Sequence, residues 1–197
     1  MATCDSIIKR DIQANCENDL QGELENVAWI MNRDDIDFDN CSFGTTNFTL
    51  ENIVLKPGKT AYIVHQLNDS FSGAGVEMEE KRFKNTWVTT FPFIIFNNDP
   101  ETKENVEGIA NGRFVVIWEN KFKNTEKAGT PGDSVFEIVG YKLGLRCKSS
   151  KSMKYDADSQ SGWVFELKEL GGPSTPISVY KTDLATTRAM IESLVTA

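Results

Sequence analysis

One histidine, four cysteines and a dense run of aspartates are the side chains of this 197-residue sequence that could do chemistry. A hydrolytic triad needs an imidazole base, and only His65 is available. It falls in TAYIVHQL at 60–67, where Ala61, Ile63, His65 and Leu67 share one parity. It therefore reads as a histidine satisfied in a core or an interface, not as a catalyst. No serine stands in a G-x-S-x-G elbow. Cys4, Cys16, Cys41 and Cys147 lack the spacing of a zinc knuckle, and they read as free buried thiols.

The aspartates are the strongest candidates. In RDDIDFDN at 33–40, Asp35, Asp37 and Asp39 alternate, so an extended chain would put them on one face. Alternating carboxylates can hold calcium or magnesium. A helix–loop–helix calcium site also needs a glycine at its sixth position and a glutamate at its twelfth. Counted from Asp34, those positions are Asp39 and Thr45. Asp34, Asp35, Asp37 and Asp39 are thus expected to act as a charged surface. The two settings are the wall of a channel, or an interface facing lysines such as Lys121 and Lys123. No catalytic residue, metal or cofactor is expected, and the chain is not expected to be an enzyme.

The charge distribution narrows the partners. The net charge is −8. Residues 1–50 hold three bases against ten acids, while the remainder is nearly balanced. Such a surface disfavours non-specific binding to nucleic acid. Hydrophobic residues make up 40%, enough for a core. The longest apolar run, FPFIIF at 91–96, is far short of the about 20 residues of a membrane helix. Charges at Asp5, Lys9, Arg10 and Asp11 argue against a signal peptide, and nothing near Cys4 suggests a lipid anchor.

The elements that would position these residues are mostly strands. Residues 1–26 show no period and read as an extended arm, with Cys4 and Cys16 as small apolar contacts in it. Residues 27–197 read as one domain. Strands are expected at 27–32, 47–55, 60–67, 79–96, 113–120, 134–145 and 162–170. Pro57-Gly58 suggests a hairpin between the second and third. The span 79–96 alternates throughout, with Phe83, Trp87, Phe91, Phe93 and Ile95 on one side. Trp163, Phe165 and Leu167 are expected to face Phe83, Trp87 and Phe91 in the core. Residues 148–161 are polar and read as a long loop. Helices are expected near 100–111, capped by Asp99, and near 183–195, capped by Thr182. The expected class is mainly β (α+β): an antiparallel β-sandwich or part-closed barrel with two short helices.

The order of motifs also resembles a family. MATC (1–4), CENDLQG (16–22), WIMNRDDI (29–36), LKPGKTAY (55–62) and KRFKNTWVTTFPFIIF (81–96) are similar to segments of virion structural proteins of Bacteroidetes phages, including crAss-like phages. So are NGRFVVIWENKFK (111–123), FEIVGYKLGL (136–145) and DLATTRAMIESL (183–194). The loop at 148–161 and the SGAG tip at 72–75 have no counterpart. The resemblance implies a tail-tube or tail-hub subunit with a tail-tube-like sandwich or barrel, forming a ring around the DNA channel. It implies as partners copies of the same chain, neighbouring tail or connector proteins, and passing genomic DNA that is not specifically bound. It implies a place in the virion tail or neck after synthesis in the host cytoplasm, with no membrane insertion. The alternatives are another head–tail connector ring, or a β-sandwich carbohydrate-binding module that would stack sugars on exposed Trp29, Trp87, Trp118 or Trp163.

Overall fold

The computed structural model describes residues 23–67, 71–121, 123, 132–157 and 159–196. Among them run β1 (Leu24–Asn32), β2 (Ser42–Phe43), β3 (Thr49–Asn52), β4 (Tyr62–His65), β5 (Gly75–Glu79) and β6 (Thr86–Ile95). Helix α1 (Pro100–Asn111) follows, then β7 (Phe114–Asn120), β8 (Phe136–Val139), β9 (Arg146–Lys151), β10 (Trp163–Gly172), β11 (Ile177–Val179) and α2 (Leu184–Ser193). Seven strands form one sheet in the order β2-β3-β11-β8-β7-β1-β4; four form a second in the order β5-β6-β10-β9. All pairs are antiparallel except β11 with β3. Among the described residues the molecule is mainly β with two helices and two sheets, and neither sheet closes into a barrel.

The large sheet is apolar on both faces because it separates two cores. On one side Trp29, Met31, Val115, Ile117, Phe136 and Ile138 pack with Ile191 of α2 and with Leu194 just after it. On the other, Ala28, Ile30, Val116, Trp118 and Val139 pack with Phe91, Phe93, Phe165 and Leu167 of the small sheet and Val106 of α1. FVVIWE is buried at every position, the pattern of a central strand. Both helices start on aspartates. Thr102 N–H donates to Asp99 Oδ1 at 2.7 Å, and Thr186 N–H to Asp183 Oδ1 at 2.8 Å. The second cap is therefore Asp183, not Thr182.

Several expected strands divide differently. The span 79–96 is not one strand: 80–85 forms the turn of a β5–β6 hairpin, with Lys81 N–H donating to Asn85 Oδ1. Phe83 keeps the parity of the strand but sits at the turn, 91% exposed, so it faces no core residue. Trp163, Phe165 and Leu167 pair instead with Ile95, Phe93 and Phe91, and Trp163 is only half-buried. The turn at Pro57-Gly58 exists, but β3 and β4 do not form a hairpin; they lie toward opposite edges of the large sheet. Residues 54–56 pair instead with the aspartate run, through Ile36↔Leu55, Asp37 N–H to Val54 C=O and Lys56 N–H to Asp35 C=O.

The expected strand at 134–145 ends at Val139. Gly140, at φ +75°, turns the chain out of the large sheet, and a Cβ there would lie 2.7 Å from the Phe114 carbonyl. The chain then enters the small sheet as β9, so part of the expected 148–161 loop is strand. Residues 24–26, expected in the arm, are the start of β1. The rest of that arm, with Cys4 and Cys16, lies outside the described residues.

Phe165 has no exposed surface and stacks on Phe93 at 5.2 Å between ring centroids, 11° from parallel. Phe165→Ala is expected to cost about 3–5 kcal/mol, because neither sheet can move to fill the gap. Trp163→Ala should cost less, about 1–3 kcal/mol, since part of that side chain already meets water. Urea unfolding with an unchanged m-value checks both.

Candidate functional site

The aspartate run is not extended. Arg33–Asp35 make one 3-10 turn at the end of β1, and residues 38–40 make another turn. That breaks the alternation and sends the carboxylates different ways. Asp35 accepts from Asn32 Nδ2 at 2.9 Å and meets Lys59 Nζ at 3.3 Å. Asp37 accepts from Asn40 Nδ2 at 2.7 Å, while its carbonyl takes the amides of Asn40 and Cys41. Lys56 Nζ donates to the Asp34 carbonyl at 2.6 Å. The Asp34 and Asp39 side chains are exposed, with no hydrogen bond or ion pair among the described residues.

The four acids thus divide in two. Asp35 and Asp37 build the turn, and Asp34 and Asp39 present charge to solvent. Within one chain Lys121 and Lys123 do not face this run. Lys121 pairs with Glu23, and Lys123 with Glu25 and Glu119, at the other end of β1. Cation binding is not favoured by this geometry, and no group of three or more metal-ligating side chains occurs among the described residues.

His65 lies on β4, exposed, and is not a core residue. Cys41 and Cys147 are free and half-buried. Burial pushes the Cys147 thiol above its ordinary pKa, which leaves it a poor nucleophile. Trp29 and Trp118 are buried, and Trp87 and Trp163 are half-buried, so no tryptophan offers an open stacking face.

The small sheet presents a different kind of surface. Its outer edges are β5 and β9, and no strand covers either among the described residues. Edge β5 carries exposed Glu77 and Glu79, followed by Glu80. Edge β9 carries exposed Arg146, Lys148 and Lys151. The registers put Glu77 and Glu79 opposite Val88 and Thr86, and Arg146 and Lys151 opposite Lys168 and Val164. All four lie on the solvent face, away from Phe91 and Phe165. One edge is therefore acidic and the other basic on the same face. Residue choice on an edge strand sets what that edge will pair with. A sequence reading that treated 79–96 as one strand and 148–161 as a loop could not see either edge.

A buried carboxylate lies where β10 meets the turn after β8. Glu169 is 6% exposed and accepts from Leu143 N–H at 3.1 Å. Burial raises its pKa above the ordinary 4.5, against the opposing pull of backbone amides, Lys142 and Arg33.

Comparison of the chain with family models, curated proteins and solved structures finds no match.

Two predictions follow from the carboxylates. Asp34→Asn and Asp39→Asn should change folding stability by less than about 0.5 kcal/mol. Asp37→Ala, which removes the bond that orders the turn, should cost about 1–2 kcal/mol in the same denaturation measurement. For Glu169, a raised folded pKa means its stabilising contribution is full below the unfolded value of 4.5 and is lost as pH rises through the folded value. Glu169→Gln keeps an acceptor for Leu143 and removes the buried charge. The variant should therefore gain stability relative to the parent as pH is raised from 4 to 7, with the gap closing again in acid. A gap that does not depend on pH would show that Glu169 carries no such penalty.

Proposed function

We propose that this protein is a structural subunit of a phage virion, of the tail-tube or tail-hub kind, that assembles with its own copies into a ring around the DNA channel. One observation carries the reading: the two outer strands of the small sheet run in opposite directions and carry opposite charge on its solvent face. Four antiparallel strands leave β5 and β9 antiparallel to one another. A second copy in the same orientation can therefore set its β5 against this β9, and the antiparallel alternation continues across the boundary. Glu77 and Glu79 of one copy then face Arg146 and Lys151 of the next. Such a contact is head-to-tail, and head-to-tail contacts close into rings or run on as tubes. Self-pairing of either edge would set like charges together, which disfavours a symmetric dimer.

The acid balance supports the passage of DNA. A channel must not hold what moves through it, and a subunit of net charge −8 repels phosphate within about 8 Å at physiological salt. Asp34 and Asp39 are the members of the run that could supply this repulsion, because their carboxylates are not occupied by the fold. A head–tail connector ring would use the same edges and is the nearest alternative. A sugar-binding module that stacks sugars on its tryptophans fits less well, since none of the four is exposed.

Mass photometry and negative-stain electron microscopy test the assembly. Glu77→Lys with Glu79→Lys should raise the concentration needed for assembly by about tenfold or more, because two attractive contacts become repulsive. Adding Arg146→Glu and Lys151→Glu to the same chain should restore assembly. A parent protein that stays monomeric at all concentrations and with all tail proteins present would overturn the reading.

A further inference from the structure

We propose that the cleft beside β4 receives residues 6–12 of a neighbouring copy, SIIKRDI, as an added strand of the large sheet; the inference rests on the ring reading above. The cleft is about 820 Å³ and runs along the whole of β4. Its other walls are the end of β6 and the last turns of α1. Ile30, Val64, Phe93, Ile109 and Phe114 give it an apolar floor.

The edge itself is open and unguarded. Gln66 N–H donates to Asn26 C=O, so alternation along the ladder turns the amides of Tyr62 and Val64 toward β1 and those of Ile63 and His65 away from it. The His65 carbonyl takes Gln66 Nε2 at 2.9 Å. The Ile63 amide and carbonyl and the His65 amide face the outer side, where no strand lies among the described residues. Proteins protect such edges with charge, proline, a bulge or shortness. β2 is two residues long, β5 is acidic and β9 is basic. β4 carries no Asp, Glu, Lys, Arg or proline and no bulge; Tyr62 is 60% and Ile63 45% exposed. An apolar edge beside an apolar cleft fits strand addition, where main-chain bonds give affinity and the cleft selects side chains.

The occupant follows from chain length, direction and charge. Twenty-two residues precede Glu23, enough to span about 70 Å when extended. Glu23 is held beside β7 by Lys121, whose amide donates to its carbonyl at 2.8 Å. β1 therefore begins at the Asn26–Gln66 end of the cleft, opposite its Tyr62 end, and the length of chain before it is enough to reach a neighbour. Ile8 and Ile12 share one face of an extended strand and supply apolar side chains for the floor, and Lys9 and Arg10 supply cations. Glu104, at the rim of the cleft, and exposed Glu101 and Glu107 of the same helix would meet them.

Zero-length carbodiimide crosslinking of the full chain tests this. Copies labelled with ¹⁴N and ¹⁵N are mixed before assembly and the linked peptides are identified by mass. Links from Lys9 to Glu104 or Glu107 are expected between light and heavy copies. Ile63→Lys should reduce them about tenfold, because a charge on the edge opposes strand addition. Lys9→Glu should abolish them, and Lys9→Glu with Glu104→Lys should restore a link between positions 9 and 104. Links found only within one copy, no links at all, or links indifferent to Ile63→Lys would overturn the inference. Rings that assemble without these links would leave the ring reading standing, whereas a protein that neither assembles nor links would remove both.

Discussion

The structure depends on a sheet that must be apolar on both faces. β1 and β7 lie between two cores, so their side chains cannot alternate between oil and water. This constraint also decides how charge can be tolerated there. Glu119 is the one acidic residue of β7, 4% exposed, and it faces α2. Its carboxylate is met by Arg188 from that helix and by Lys123. Arg188 also lies over the Phe136 ring, 5.1 Å from its centroid. A buried ion pair of this kind gives little net stability, but leaving one partner unpaired is costly. Its effect is to fix where α2 sits on the sheet.

The same constraint links the two sheets at the side where β4 ends. Gln66 is buried, and its side-chain amide pairs with the backbone of Ile94 in both directions, at 2.9 and 3.0 Å. A side chain here takes the part of a strand. It satisfies main-chain groups of β6 that would otherwise be stranded between the sheets. It also fixes the distance between β4 and β6, and so the width of the cleft between them. Packing of the interior thus sets the shape of a surface feature whose floor includes the core residues Ile30 and Phe93.

Much of this was legible in the sequence wherever one physical signal acted alone. The run RFVVIWEN is apolar at both parities, and only a central strand explains that. Asp99-Pro100 and the glutamates after it mark a helix start by capping chemistry that does not depend on tertiary context. Legibility failed where two signals overlapped. Parity continued through the 80–85 turn, so Phe83 looked like a core residue. β9 was hidden because an edge strand on the solvent face has no apolar alternation to reveal it; only Cys147 and Ser150 point inward from it. The aspartate run failed for a related reason. Its spacing suggested one face, but Asn32 and Asn40 bond locally to Asp35 and Asp37 and favour turns over extension.

Those failures are concentrated on sheet edges, and that has a physical cause. A core position answers to burial alone, so its residue type reports its environment. An edge position answers to whatever pairs with it, and that partner is absent from a single chain's pattern. Glu77 and Glu79 on one edge, and Arg146 and Lys151 on the other, look like ordinary solvated charge when each strand is read by itself. Their relation becomes visible only once the four-stranded order puts them at opposite ends of one face, in strands of opposite direction. An even number of antiparallel strands gives this polarity without any special residue. The charges then restrict which edge can meet which, because acid against acid and base against base are both unfavourable. A sandwich with polarised edges of this kind favours head-to-tail contact over two-fold contact, and it does so through strand count and surface charge while leaving the core unchanged.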